Sequence, residues 1–131
     1  MANIGAFAQK QVLDWMFGGA AATQPSSRLI ALSLGTPTSV SGSEVGTNSG
    51  YARQTMSAGA AASPAGSVSN NVAATFGPFS SIATIQGAMI YDTISISSGN
   101  LWWYGTLLTA RTALANDQVV IGVGSLIATL S

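Results

Sequence analysis

From Val72 onward the chain is a succession of short apolar runs, each closed by turn residues, and that rhythm leaves little besides an all-β fold. Val72 to Phe79 carries Phe76 and Phe79 around Gly77-Pro78, and the proline suits an edge or a bulge. Ile82 to Tyr91 is a longer run, and Thr93 to Ser97 alternates cleanly. Ser98-Gly99-Asn100 then turns the chain into Leu101 to Leu108, which holds Trp102, Trp103 and Tyr104. Asn116-Asp117 leads into Gln118 to Val123, and Leu126 to Leu130 follows. Upstream, Arg28 to Leu34 and Tyr51 to Ser57 read as strands, with Ile30, Leu32 and Leu34 on one face of the first. Gly35 to Gly50 and Ala58 to Ser67 have the small, polar composition of loops. About seven or eight short strands so punctuated predict a single-domain antiparallel β-sandwich or jelly roll over residues 28–131.

Only the N-terminal stretch has a helical period. Ile4, Phe7, Ala8, Val12, Trp15 and Met16 share one broad side, which predicts one α-helix within residues 1–19. Asn3 is the expected cap and Gly18-Gly19 the expected stop. Leu13 and Phe17 fall outside the stripe, so they either fill a groove of the domain or meet another chain.

Charge is scarce. Only 6% of residues are charged, against a usual share near ~25%, and four cations balance four anions. Four scattered cations cannot neutralise a run of phosphates, which excludes a nucleic-acid binder, and they form no basic patch for an anionic membrane. No apolar run approaches the ~18 residues of a membrane span, and Met1 to Val12 lacks the apolar core of a signal peptide. Histidine and cysteine are absent, which removes structural zinc sites, thiol chemistry and histidine-based triads. Asp14, Glu44, Asp92 and Asp117 come from a helix, a loop, a strand end and a turn, and nothing in the sequence pairs them. No Gly-x-Ser-x-Gly or phosphate-cradling loop occurs. The expectation is a non-enzyme without cofactor or metal.

The aromatic strand has two readings. Alternation sends Trp102 and Trp103 to opposite faces, so one enters the core and the other is covered by the helix, a loop or a second subunit, or stacks on a sugar. Leu13, Trp15, Phe17, Trp102, Trp103 and Tyr104 are accordingly the candidate subunit-interface residues. A carbohydrate site would show an aromatic side chain beside convergent Asp, Asn or Arg groups. Arg53 and Arg111 have Glu44 and Asp117 as possible partners and are expected to be solvated.

Three segments resemble a family of small proteins encoded among tailed-bacteriophage structural genes, often labelled tail-fibre-like. One runs from Leu29-Ile30-Ala31-Leu32 through a Gly/Ser loop to Glu44-Val45 and Gly50-Tyr51-Ala52-Arg53-Gln54. Another is Ala74-Thr75-Phe76-Gly77-Pro78-Phe79. The last is Asn100-Leu101-Trp102-Trp103-Tyr104-Gly105, followed by Thr109-Ala110-Arg111-Thr112 and a closing Gly-Ser-Leu strand. The chain departs from the pattern at Gly35-Thr36-Pro37-Thr38, where the family tends to carry an acidic Asp-Pro-Gly segment. The resemblance implies a virion structural protein, made in the host bacterial cytoplasm, with no catalytic residues to carry over. Size and neutrality favour capsid decoration: a cement protein touching the major capsid protein and copies of itself, with a trimer as the natural arrangement. A tail, neck, baseplate or fibre-associated part is the alternative reading, and a host carbohydrate-binding module a further one.

Overall fold

A computed structural model describes residues 2–21, 23–46, 50–59 and 66–129. It is an all-β fold with one N-terminal helix. The strands are β1 (Ala2–Ile4), β2 (Leu29–Ser33), β3 (Gln54–Thr55), β4 (Ser67–Ser69), β5 (Ala74–Phe76), β6 (Ala83–Tyr91), β7 (Leu101–Ala113), β8 (Val119–Ile121) and β9 (Ile127–Thr129), with α1 (Ala6–Phe17) between β1 and β2. Seven strands form one sheet in the order β3-β2-β6-β7-β1-β9-β4, and β5 pairs with β8 in a second.

The long β6–β7 pairing is the spine of the large sheet, and register shifts at Ile85/Gly87 and Ile90/Tyr91 let it bend. The sheet curls until its outer strands meet. Ala58, just after β3, bridges Asn70, just after β4, and the Asn71 amide donates to the Ser57 carbonyl at 2.9 Å. The β5–β8 ribbon packs across the inner face, giving the two layers of the expected sandwich. Ile30, Leu32, Phe76, Phe79 and Ile85, none more than 1% exposed, fill the space between the layers. Every residue of β2 is buried because its outer face is covered as well. There Ala31, Met89 and Leu101 form a smaller cluster, and Gly42 of the loop after β2 lies against the Met89 sulfur.

Several expectations need correction. The helix does not begin at an Asn3 cap: Asn3 lies in β1, opposite Tyr104, and the N-cap is Gly5 with no side-chain cap. Pairing with β7 satisfies the backbone of residues 2–4 better than an extra helical turn would. Gly18 does end the helix, in the left-handed conformation at φ 72°. The sheet is not wholly antiparallel, since β1 and β9 run parallel. Tyr51 to Ser57 shrinks to the two residues of β3, while β4 is Ser67–Ser69, starting at the last residue of the stretch from Ala58 to Ser67 read as a loop. Thr93 to Ser97 is not a strand. The β9 expectation reached Leu130, and the two loops read from composition included residues 47–49 and 60–65; those positions lie outside the described residues.

Candidate functional site

The polar centre of the molecule is built from the Gly50-Tyr51-Ala52-Arg53 segment. Arg53 was expected to be solvated; it is 2% exposed. It makes a fork-to-fork pair with Glu44, Nε to Oε1 and Nη2 to Oε2, both at 2.7 Å. Its Nη1 donates to the carbonyls of Thr93 (2.7 Å) and Ser98 (2.9 Å), and its Cζ sits 4.0 Å from the centre of the Tyr91 ring. The Tyr51 hydroxyl donates to Glu44 Oε1 at 2.9 Å and accepts from the Leu32 amide at 3.1 Å. The Ser97 amide donates to Glu44 Oε2 at 3.0 Å.

This network explains why Thr93 to Ser97 fails as a strand despite its alternation. The carbonyls of Thr93 and Ser98 and the amide of Ser97 are held by Arg53 and Glu44 instead of a neighbouring strand. Gly50 is required for the same architecture. Its φ is +90°, and a Cβ there would run into the Pro78 carbonyl oxygen. That close approach seats the Tyr51 ring on Phe76 (centroids 6.0 Å apart, stacked) and beside Phe79 (6.5 Å).

Burial alone would push the Glu44 carboxyl up, but Arg53, the Ser97 amide and the Tyr51 hydroxyl outweigh it and hold the group below its ordinary 4.5. At Asp92 burial is likewise outweighed, by the Asn100 amide and side chain and the Trp102 indole, so that carboxyl lies below its ordinary 3.8. The Tyr51 hydroxyl moves the other way, raised above its ordinary 10.0 chiefly by burial. The signs give a two-sided profile. Depressed carboxyls lose their stabilising contribution as pH falls through the unfolded values toward the folded ones. A raised phenol loses its contribution as pH rises, because the unfolded tyrosine ionises first. The melting temperature should therefore be nearly flat from about pH 5 to about pH 10 and fall on both sides, as differential scanning calorimetry would show. A profile still rising below pH 4 would contradict the depressed Glu44 and Asp92.

The other carboxylates are also taken up by their surroundings. Asp14 pairs with Lys10 on α1, and Asp117 Oδ2 accepts from the Leu114 amide at 2.9 Å. Asp92 accepts from the Asn100 amide (2.8 Å), Asn100 Nδ2 (2.9 Å) and Trp102 Nε1 (3.3 Å). Among the described residues no group of three or more His, Cys, Asp or Glu side chains could hold a metal, and no helix is long and apolar enough to cross a membrane.

The candidate interface residues divide into two sets. Trp102, Trp103 and Tyr104 are half-buried within the fold. Trp102 meets Phe7 of α1 edge-on at 5.4 Å, so the helix covers it; Trp103 packs on the main core and Tyr104 on the smaller cluster. Leu13, Trp15 and Phe17 are 55%, 69% and 79% exposed. Trp15 and Met16, expected on the covered side, are exposed too, because α1 touches the sheet only through its first turns, where Ala8 is its one buried residue. At the far end of the helix Leu13, Trp15, Met16 and Phe17 are all exposed, with Asp14, paired to Lys10, on the remaining side.

Comparisons with known proteins agree with the sequence resemblance. Among curated proteins none gives a significant match. A family model described as podophage GP4 fiber I protein gp80 matches residues 3–129. That span holds the Arg53–Glu44–Tyr51 network, the Phe76 to Phe79 segment stacked on it and the aromatic strand, so the chain belongs to the podophage GP4 fiber I protein gp80 family.

Proposed function

We infer that the chain is a non-catalytic structural component of a phage virion, part of a fibre assembly, and that it holds its place through the apolar end of α1. The family match carries the inference. Two features of the chain support it. It has no histidine or cysteine, and each of its four carboxylates serves a different part of the fold. Leu13 and Phe17, four residues apart on α1, present exposed apolar area beside one another, with Trp15 exposed on the other side of the helix, on a molecule of zero net charge, a surface suited to a neighbouring copy of the same chain. Capsid decoration is the second reading, favoured by the small size and near-neutral surface, which let many copies sit side by side.

Virions assembled with and without the protein separate these readings. In a fibre, the protein maps by image reconstruction to appendages, and its loss impairs host adsorption while leaving the temperature of DNA release unchanged. As cement it maps to the shell, and its loss lowers that temperature by mass action. In either place its attachment should be nearly insensitive to salt, since there are few charges to screen. A protein absent from mature virions would overturn both.

A further inference from the structure

β7 outruns β1, which pairs with it only from Trp103 to Gly105, and continues to Ala113. In that far half a single β6 residue, Gln86, stands opposite Leu107 to Ala110, so β7 bows out of its ladder. β8 lies across the gap but pairs only with β5. A cleft of about 670 Å³ is left between them, with Ile85 of the core at its floor and Leu107, Val119 and Ile121 in its walls. Leu108, Val120 and Arg111 line it from exposed positions at the rim. We propose that this cleft receives the apolar end of α1 of a second copy, so that copies join head to tail; this rests on the reading of that end as a contact between copies.

The two surfaces match in shape and in chemistry. Leu13 and Phe17, one turn apart on α1, form an exposed apolar ridge, and the cleft is an apolar hollow that opens onto the core. The polar groups match as well. The last turn of α1 holds no basic residue, although the helix dipole favours a cation there. The Asp14 carbonyl accepts from the Gly18 and Gly19 amides, but those of Trp15, Met16 and Phe17 accept no capping hydrogen bond among the described residues. Arg111, in turn, has no hydrogen-bond or ion-pair partner among the described residues, and a guanidinium only donates. With Leu13 and Phe17 between the apolar walls, the helix end brings acceptors and the negative end of its dipole to Arg111 at the rim. A chain does not make this contact with itself. α1 lies over the outer face at the start of β7, where Phe7 meets Trp102, whereas the cleft opens on the inner face of the far half, where Leu107 packs on the core. Two unlike surfaces therefore meet, and such a contact closes into a ring when its rotation allows and otherwise stacks without end.

The test is sedimentation velocity of the full-length chain and of two double variants, alone and mixed. Leu13→Asp with Phe17→Asp spoils the helix end and leaves the cleft. Leu108→Asp with Val120→Asp charges the cleft at exposed positions and leaves the helix. Each variant alone should sediment as a folded monomer. Mixed in equal amounts they should form a dimer and nothing larger, because the one intact helix end fills the one intact cleft. Arg111→Ala, also at an exposed position, tests the cleft without touching its apolar lining. It should weaken assembly of the otherwise unchanged chain by about 10-fold, and do the same to the mixed dimer when placed in the helix variant. A mixture of two folded variants that stays monomeric, or assembly indifferent to Arg111→Ala, would overturn the proposal. A cleft variant that assembles like the unchanged chain while the helix variant does not would sink the cleft alone and leave α1 as the contact. A helix variant that assembles like the unchanged chain would sink both.

Discussion

Arg53→Met should remove about 3–5 kcal/mol of stability, the usual cost of stranding one partner of a buried ion pair, and so a large part of the ~5–15 kcal/mol that holds a domain of this kind together. The pair is 0% and 5% exposed at its side chains, so solvent screening gives little relief. Glu44 would keep the Tyr51 hydroxyl and the Ser97 amide but lose its counter-charge, and the carbonyls of Thr93 and Ser98 would lose their donor. The expected result is a fall in melting temperature of roughly 10–20 °C with loosening of the segment between β6 and β7. Protonating Glu44 removes the stranded charge, so the deficit should shrink as the pH drops through the carboxylate range. Pairing the change with Glu44→Gln removes the stranded charge at every pH and keeps one acceptor oxygen, for either the Tyr51 hydroxyl or the Ser97 amide. The double variant should therefore be more stable than Arg53→Met alone. Urea unfolding of both variants at neutral pH checks this, and a double variant less stable than the single one would show that hydrogen bonding, not the buried charge, dominates the site.

Much of this was legible in the sequence, for reasons that differ by element. β6 and β7 announce themselves through β-branched and aromatic residues between clear turns, and Gly18 ends its helix as such a glycine should. β4 is Ser-Val-Ser, with too little apolar content to register, and it forms because β9 offers it a ladder. Thr93 to Ser97 shows the converse, a strand-like alternation overridden by two buried charges from elsewhere in the chain. The Arg53–Glu44 pairing was visible as a possibility, but a burial of this degree was not. The available signal was the scarcity of charge itself: a chain with four cations that places one beside Tyr51 and ahead of a strand is using it for structure.

Leu13→Asp together with Phe17→Asp should convert the assembled protein to monomer while leaving the fold in place. The two effects separate because the helix is anchored at one end and bare at the other. Phe7 and Ala8 hold it against β7, and neither changes. Leu13 and Phe17 lie four residues apart on the exposed end, where full burial of each side chain contributes about 1.5–3 kcal/mol. Substitution removes that gain and adds the cost of drawing a carboxylate out of water with no partner within the contact. In the free chain the same carboxylates stay hydrated, so thermal unfolding of the monomer should move by less than ~1 kcal/mol. Sedimentation velocity over a concentration series reads the association directly, with a trimer expected for the unchanged chain and a single slow species for the variant. Leu114→Asp, another exposed apolar position but remote in sequence from α1, serves as the comparison and should leave the assembly intact. If the unchanged chain sediments as a monomer at high concentration, or if Leu114→Asp dissociates it while the helix variant does not, the apolar end of α1 is not the surface through which copies meet.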